Sequence, residues 1–329
     1  MYLPRLKNEW TELAIITVVS FFLYQMNMLI LFCIPLQILF VRKGERFFMY
    51  SGLSVLAALA VAALLRTAQV AERGLRLNLL AIDLLLPAFF LVGLGATNMQ
   101  WKVQLRLFYK VICVTLVAGV ASIPVIYLLS RDEQITALIK AQIEGVSQVF
   151  AGVAAEGVTG TAATGILSDP DALVQLIQSI LLRNYLFMYF AILSGSVWMG
   201  ISVGNRTVGR APRKFADFFL PEKMIWPLLF SWAIVLLDTF FPVGKLRYAA
   251  WNIGLIFLLT YGVQGIGIIQ TLFDRRGVGR GIRAALFVGV TLMLFWPGAN
   301  LLIIVGFPIL GISELWIHYR TSEKGVDES

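Results

Sequence analysis

The sequence predicts an all-α protein, a polytopic transmembrane bundle of about eight to ten membrane helices, short hairpin helices included, plus one outer amphipathic segment. Of its 329 residues, 59% are hydrophobic and 14% are charged, whereas soluble globular domains average about 45–50% apolar and about 25% charged residues. Apolar runs of about 20 residues, the length that crosses a hydrocarbon core of about 30 Å, recur between short basic loops. We therefore expect residues 1–329 to form a single integral membrane domain.

The basic loop at 204–232 fixes the orientation of the predicted helices. Loops rich in lysine and arginine remain on the cytoplasmic side of a membrane, and this loop lies between two long apolar runs. We expect a multi-pass protein of the bacterial cytoplasmic (inner) membrane with both termini in the cytoplasm. The net charge of +8 follows such loops, so we predict no nucleic-acid partner. The cations of this loop are Arg206, Arg210, Arg213, Lys214 and Lys223.

The first apolar run, residues 13–41, allows two interpretations. One long tilted helix would place the N-terminus outside, whereas a hairpin of two short helices leaves it in the cytoplasm, as the charge rule requires. Gln25 and Asn27 interrupt the run at its middle, and Pro35 would break a continuous helix near its end. We favour the hairpin and keep the single span as the alternative.

Three further spans are predicted at 47–65, 77–96 and 107–129, each long enough for the hydrocarbon core. The alternation of spans places the loop at 66–76 outside. That loop contains three arginines, so it is an exception to the charge rule.

Residues 130–180 are predicted to form an extracytoplasmic insertion. Apolar residues recur with helical spacing over 132–153, which is typical of an amphipathic helix that lies on the outer surface or caps the bundle. Ser168 or Asp169 is expected to cap a new helix with Pro170 at its first position. That helix should run from outside straight into the next span.

The C-terminal part is predicted to contain an outward span at 224–241 and a returning span at 249–272. The arginine-rich loop that follows is expected in the cytoplasm. Residues 284–318 should form two short helices, broken at Pro297 and Gly298 on the outer face.

Polar side chains of the predicted spans collect toward the outer leaflet. A charge at the bilayer centre costs up to ~3 kcal/mol on insertion scales. A polar residue within a span is therefore expected to have a structural or functional role that offsets this cost. Asp83, about 9 Å inside its helix end at 1.5 Å per residue, should face a cavity, a partner group or water. We predict an outward-facing pocket for a small polar-aromatic ligand, closed by 132–153. The predicted binding residues are Asn27, Asp83, Asn184, Trp251, Asn252 and Asn300.

A simpler interpretation competes with ligand binding at several of these positions. Trp and Tyr occur at membrane interfaces in general, and Asn or Asp near a helix end often caps it. For Trp251, Trp296 and Asp238 we favour this structural explanation.

The inner end of the last helix carries Glu314, His318 and Arg320. Glu314 and His318 are one helical turn apart, which makes a local polar pair plausible. These three residues are candidates for contact with a cytoplasmic partner, and an interface anchor at the helix end is the favoured structural alternative.

Catalytic and metal-binding patterns are missing from the sequence. His318 is the single histidine, which excludes a paired-histidine zinc motif contributed by this chain. Cys33 and Cys113 lie in apolar runs, as buried thiols do. We predict no enzymatic activity, no catalytic residue, no metal and no cofactor.

Two sets of glycines lie within predicted spans. Gly200 and Gly204 form a GxxxG pair, and Gly262, Gly265 and Gly267 cluster on another span. Small residues at this spacing allow helices to approach closely, so we predict close helix packing at both places.

Four stretches of the chain resemble a known family, namely FCIPLQILFVRKGERF, FADFFLPEKMIWPLLF, AAWNIGLIFLLTYGVQGIGIIQTLF and VGFPILGISELWIHYR. Through them the chain resembles the YybS-like family of predicted bacterial membrane proteins, whose function is unknown, and the similarity is strongest from about residue 200 onward. That family is distantly similar to the S components of energy-coupling-factor vitamin transporters, which capture substrates.

The polar set and this resemblance together suggest a membrane substrate-binding subunit or transporter of a small molecule. Since the sequence contains no nucleotide motif, transport would need an ion gradient or partner subunits, among them an ATPase. The alternative is a structural or scaffolding protein of the cell envelope whose basic loops dock cytoplasmic partners or anionic lipid.

Overall fold

The structure, a computed structural model, describes residues 9–69, 73–101, 105–131 and 170–320, with four single helical positions at 137, 140, 141 and 145. The rest of the predicted amphipathic segment 132–153 lies outside these residues, as do the expected caps Ser168 and Asp169. The insertion at 130–180 therefore stays a prediction.

Ten α-helices and no β-strand occur in the part of the chain that the structure describes. They are α1 Glu9–Gln25, α2 Leu29–Lys43, α3 Glu45–Arg66, α4 Arg73–Asn98, α5 Leu107–Arg131, α6 Pro170–Thr207, α7 Ile225–Phe240, α8 Leu246–Arg275, α9 Arg280–Leu294 and α10 Ala299–Ser313. The six helices α3 to α8 are long and apolar enough to cross a membrane. This confirms the predicted all-α membrane fold.

The first apolar run is a hairpin of two short helices, as favoured from the sequence. α1 ends at Gln25 and α2 begins at Leu29. Asn27 in the turn has φ 58°, a left-handed conformation that asparagine adopts more readily than most residues. Pro35 lies inside α2 and does not end it. The interruption therefore comes from the polar turn and not from the proline.

Ion pairs join the other ends of this hairpin. Arg42 Nη1 lies 2.9 Å from a carboxylate oxygen of Glu12, and both side chains are nearly buried. Lys43 Nζ lies 2.8 Å from Glu9 Oε1 in a more exposed pair. These contacts bring the start of α1 beside the end of α2, so the two helices are antiparallel.

The long central helix α6 and the bent pair α9–α10 both agree with the sequence predictions. α6 is one helix of 38 residues, roughly 57 Å at 1.5 Å per residue, so it is longer than a hydrocarbon core is thick. It begins at Pro170, as predicted. α9 and α10 are bent by 118° at the short break that contains Pro297 and Gly298, and the pair could form a seventh span.

The chain divides into two compact units, one up to Pro212 and one from Arg213 onward. α1 to α6 belong to the first unit and α7 to α10 to the second. The prediction of a single integral membrane domain stays a prediction. Buried residues of the two cores include Phe32, Leu36 and Leu193 in the first unit, and Phe257, Tyr261 and Ile268 in the second.

Glycines bring α6 into close contact with α2 in the first unit. A Cβ atom added at Gly200 would overlap the Cβ of Gln37, and one added at Gly204 would lie 2.8 Å from the Cβ of Val41. The predicted role of this GxxxG pair in helix packing is confirmed.

The second unit contains a closer crossing, between α8 and α10. A Cβ at Gly265 would overlap the carbonyl oxygen of Phe307, and a Cβ at Gly311 would overlap that of Tyr261. The two helices therefore meet backbone against backbone. Of the predicted glycine cluster, Gly265 makes this contact, while Gly267 makes room for the carbonyl of Phe215.

We expect Gly200→Ala to destabilise the first unit by roughly 1–3 kcal/mol, because the added methyl overpacks the contact with Gln37. Thermal unfolding of the detergent-solubilised protein measures the effect. Gly195→Ala is the matched control, since Gly195 lies on the same helix with open space around it. Equal unfolding temperatures for the two variants would contradict the assigned contact.

Candidate functional site

Asp83 forms an ion pair at one end of the first unit. Its carboxylate lies 3.2 Å from the guanidinium of Arg66, the last residue of α3. The hydroxyl of Tyr24, in the last turn of α1, donates to the backbone oxygen of Asp83 at 3.4 Å. Asp83 therefore lies at the level of the last turns of α1 and α3, and its charge has a partner, as the sequence argument required.

This ion pair is only partly covered by the rest of the chain. The side chain of Arg66 is 55% exposed and that of Asp83 is 39% exposed. Part of each charged group is therefore left uncovered by the chain.

The other predicted residues of the first unit have local structural contacts. Asn27 is exposed and occupies the left-handed position of the α1–α2 turn. The amide of Asn184 donates to the backbone oxygen of Ile180, one turn earlier, at 2.7 Å.

Three predicted residues lie in the second unit. Trp251 packs against Trp232 at 5.4 Å between ring centroids, edge to face. Asn252 is 1% exposed, and its amide donates to the backbone oxygen of Tyr248 at 2.7 Å. Asn300 is half-buried in the first turn of α10. Because Asp83 belongs to the first unit, its predicted convergence with Asn252 and Asn300 stays a prediction.

Asp238 stabilises the turn after α7. Its carboxylate accepts the backbone N–H of Val243 at 3.0 Å, and its other oxygen lies 3.9 Å from a guanidinium nitrogen of Arg247. These contacts agree with the structural explanation favoured from the sequence.

A buried ion pair lies at the opposite end of the second unit. Arg320 binds the carboxylate of Glu314 through two nitrogens, Nε at 2.6 Å and Nη2. The two side chains are 4% and 6% exposed. The Nη1 group donates to the backbone oxygens of Ala216 at 3.0 Å and Phe218 at 2.8 Å. The guanidinium also lies 3.6 Å from the ring centroid of Phe219.

Two glutamines of α8 complete this network. Gln264 accepts the backbone N–H of Leu220 at 2.9 Å and donates to Glu314 Oε2 at 3.1 Å. Gln270 accepts the backbone N–H of Ala216 at 3.2 Å. We call residues 213–224, which precede α7, the interface segment. Arg320 and both glutamines bind its backbone, so the segment is fixed to α8 and to the chain that follows α10.

A small cavity of about 140 Å³ lies beside this network. Pockets for drug-sized ligands measure about 300–1,000 Å³, so this cavity is too small for a ligand of that size. It is lined by Phe219, Leu220, Glu222, Gln264, Glu314, Leu315 and His318.

The predicted partner residues Glu314, His318 and Arg320 lie after the last helix and not within it. α10 ends at Ser313 and the chain turns at residues 314–316. The helical spacing used to pair Glu314 with His318 therefore does not apply. The turn instead brings Arg320 back onto Glu314.

Comparison with known families settles the class of protein. A family profile described as "Predicted membrane protein (DUF2232)" matches residues 13–308. The chain belongs to the DUF2232 family. No curated protein and no solved structure matches the chain.

Sequence reasoning about this DUF2232 protein missed Arg66, Gln264 and Gln270 as site residues. Arg66 carried a signal, because it was one of the arginines that broke the charge rule at 66–76. The sequence also contains a signal for Gln264 and Gln270, because both amides interrupt the apolar run of α8. Unpaired polar groups are costly in such a run, so both side chains should have hydrogen-bond partners.

We expect Arg320→Gln to destabilise the second unit by about 3–5 kcal/mol, because the variant leaves the buried Glu314 carboxylate without its partner. Thermal unfolding in detergent measures this loss. Arg276→Gln is the control, because Arg276 is an exposed arginine at the end of α8 and surface substitutions usually change stability by less than about 0.5 kcal/mol. A loss of similar size in both variants would refute the assigned role of Arg320.

Proposed function

We propose that this DUF2232 protein is a substrate-binding subunit or transporter of a small polar molecule in the bacterial cytoplasmic membrane. In this proposal it acts in the manner of an S component, the role that the resemblance noted in the sequence implies at second hand. The cluster of Tyr24, Arg66 and Asp83 supports the proposal. It combines the guanidinium at the end of α3, the phenol in the last turn of α1 and a carboxylate in the interior of α4.

Charge in an apolar bundle is usually paired and shielded, because an isolated ion is costly there. The Arg66 and Asp83 side chains are paired but stay 55% and 39% exposed. A ligand with hydrogen-bonding groups can reach such a pair and bind both charges. The topology expected from the sequence places this end of the first unit outside, where a capturing subunit meets its substrate.

Energy for transport would come from elsewhere in this proposal. An ion gradient or a separate ATPase subunit, joined through a membrane partner, would drive release of the molecule. The chain itself would bind and would not catalyse.

Native mass spectrometry of the protein, gently extracted from its own membrane, tests the proposal through any retained small molecule. We expect Asp83→Asn and Arg66→Gln each to lower retention about tenfold or more, since hydrogen bonds to charged groups contribute about 1.5–3 kcal/mol. The control is the double variant Glu9→Gln, Lys43→Gln, which removes an exposed ion pair elsewhere in the first unit.

Equal retention by the Asp83 variant, the Arg66 variant and the control would contradict the ligand site. That result would favour the alternative, a scaffold that docks cytoplasmic partners or lipid.

A further inference from the structure

One end of the second unit is strongly basic. Contacts bring the end of α8, the start of α9 and the chain after α10 together there. Arg275 donates to the backbone oxygens of Tyr319 and Arg320 at 2.8 and 2.7 Å, and Arg283 pairs with Asp274.

We call this region, together with the interface segment, the basic end. Among the residues that the structure describes, which end at Arg320, it carries eight cations against four carboxylates, a net charge of +4. The cations are Arg213, Lys214, Lys223, Arg275, Arg276, Arg280, Arg283 and Arg320, and the carboxylates are Asp217, Glu222, Asp274 and Glu314.

The depth of these charges follows from the helices that carry them. The candidate membrane spans run over Glu222–Phe240 and Leu246–Arg275. Lys223 lies at the beginning of the first span and Arg275 at the end of the second. Cations at the ends of membrane spans lie at the level of the lipid headgroups.

Exposed aromatic rings accompany the lysines. Phe219 is 51% exposed and Trp226 is 57% exposed, and Lys214 and Lys223 are exposed on the same stretch of chain. Aromatic residues are enriched at the membrane–water interface, where their rings lie among the headgroups. A soluble acidic partner would need the lysines but not the exposed rings.

The interface segment is also preorganised. Arg320 binds its backbone oxygens at Ala216 and Phe218, and Gln264 binds its N–H at Leu220. Lys214 and Lys223 therefore project from a backbone that is already fixed. A ligand bound by both lysines pays little to order the segment.

We propose that the basic end of the second unit binds anionic phospholipid, with Lys214 and Lys223 contacting the headgroup phosphate. Juxtamembrane lysines attract anionic lipid with about 1 kcal/mol each near the surface. This inference is independent of the proposed small-molecule function, because it uses only the second unit and membrane insertion.

The test is lipid competition on the full-length protein. Delipidated protein is equilibrated with equal amounts of dioleoyl phosphatidylglycerol and dioleoyl phosphatidylcholine in mixed micelles, and native mass spectrometry gives the ratio of the two bound lipids. We expect the wild type to prefer the anionic lipid. Lys223→Gln should lower the ratio roughly fivefold, and the double variant Lys214→Gln, Lys223→Gln should lower it further.

Lys245→Gln is the matched control. It removes the same charge from the residue before α8, at the opposite end of the α7–α8 hairpin, and should leave the ratio unchanged. Lys223→Arg should keep the wild-type ratio, which separates loss of charge from misfolding.

Two results would overturn the inference. One is a wild type without preference for the anionic lipid, which would leave the basic end to an acidic protein partner. The other is an equal fall in Lys223→Gln and Lys245→Gln, which would mean diffuse attraction to net charge.

Discussion

Burial of the Arg320 guanidinium determines how the second unit is arranged at its basic end. Removing an ion pair from water costs several kcal/mol per ion, so it is tolerated only when further hydrogen bonds satisfy the charged groups. Glu314 supplies the opposite charge, and the carbonyls of Ala216 and Phe218 accept further N–H groups of Arg320. Because these carbonyls belong to the interface segment, displacing that segment would leave buried donors unpaired.

Polar groups in the first unit are also paired between helices, and these pairs differ in how far the chain covers them. Gln37 and Asn98 exchange hydrogen bonds at 2.9 and 2.7 Å between α2 and α4. The Glu12 and Arg42 pair is 4% and 11% exposed. Asp83, by comparison, keeps 39% of its side chain exposed. The buried pairs hold helices together, whereas the exposed pair has surface left for binding.

Sequence reasoning succeeded where the signal was local. The α1–α2 turn, the packing at Gly200 and the break at Pro297 all follow from short patterns, namely polar interruption, small-residue spacing and a helix-breaking dipeptide. Pairs such as Arg66 with Asp83 could not be predicted in this way, because which side chains meet depends on how helices pack. The sequence also predicts that the last helix extends to about residue 318, whereas α10 ends at Ser313. The turn at Glu314 is stabilised by Gln264, a residue distant in sequence.

The fixed interface segment is tested most directly by hydrogen–deuterium exchange of the wild-type protein in lipid nanodiscs. The N–H groups of Ala216 and Leu220 are bound to Gln270 and Gln264, and exchange requires these bonds to open. The account predicts that peptides covering 213–224 exchange as slowly as those of α8. Exchange at the rate of an unstructured loop would contradict it.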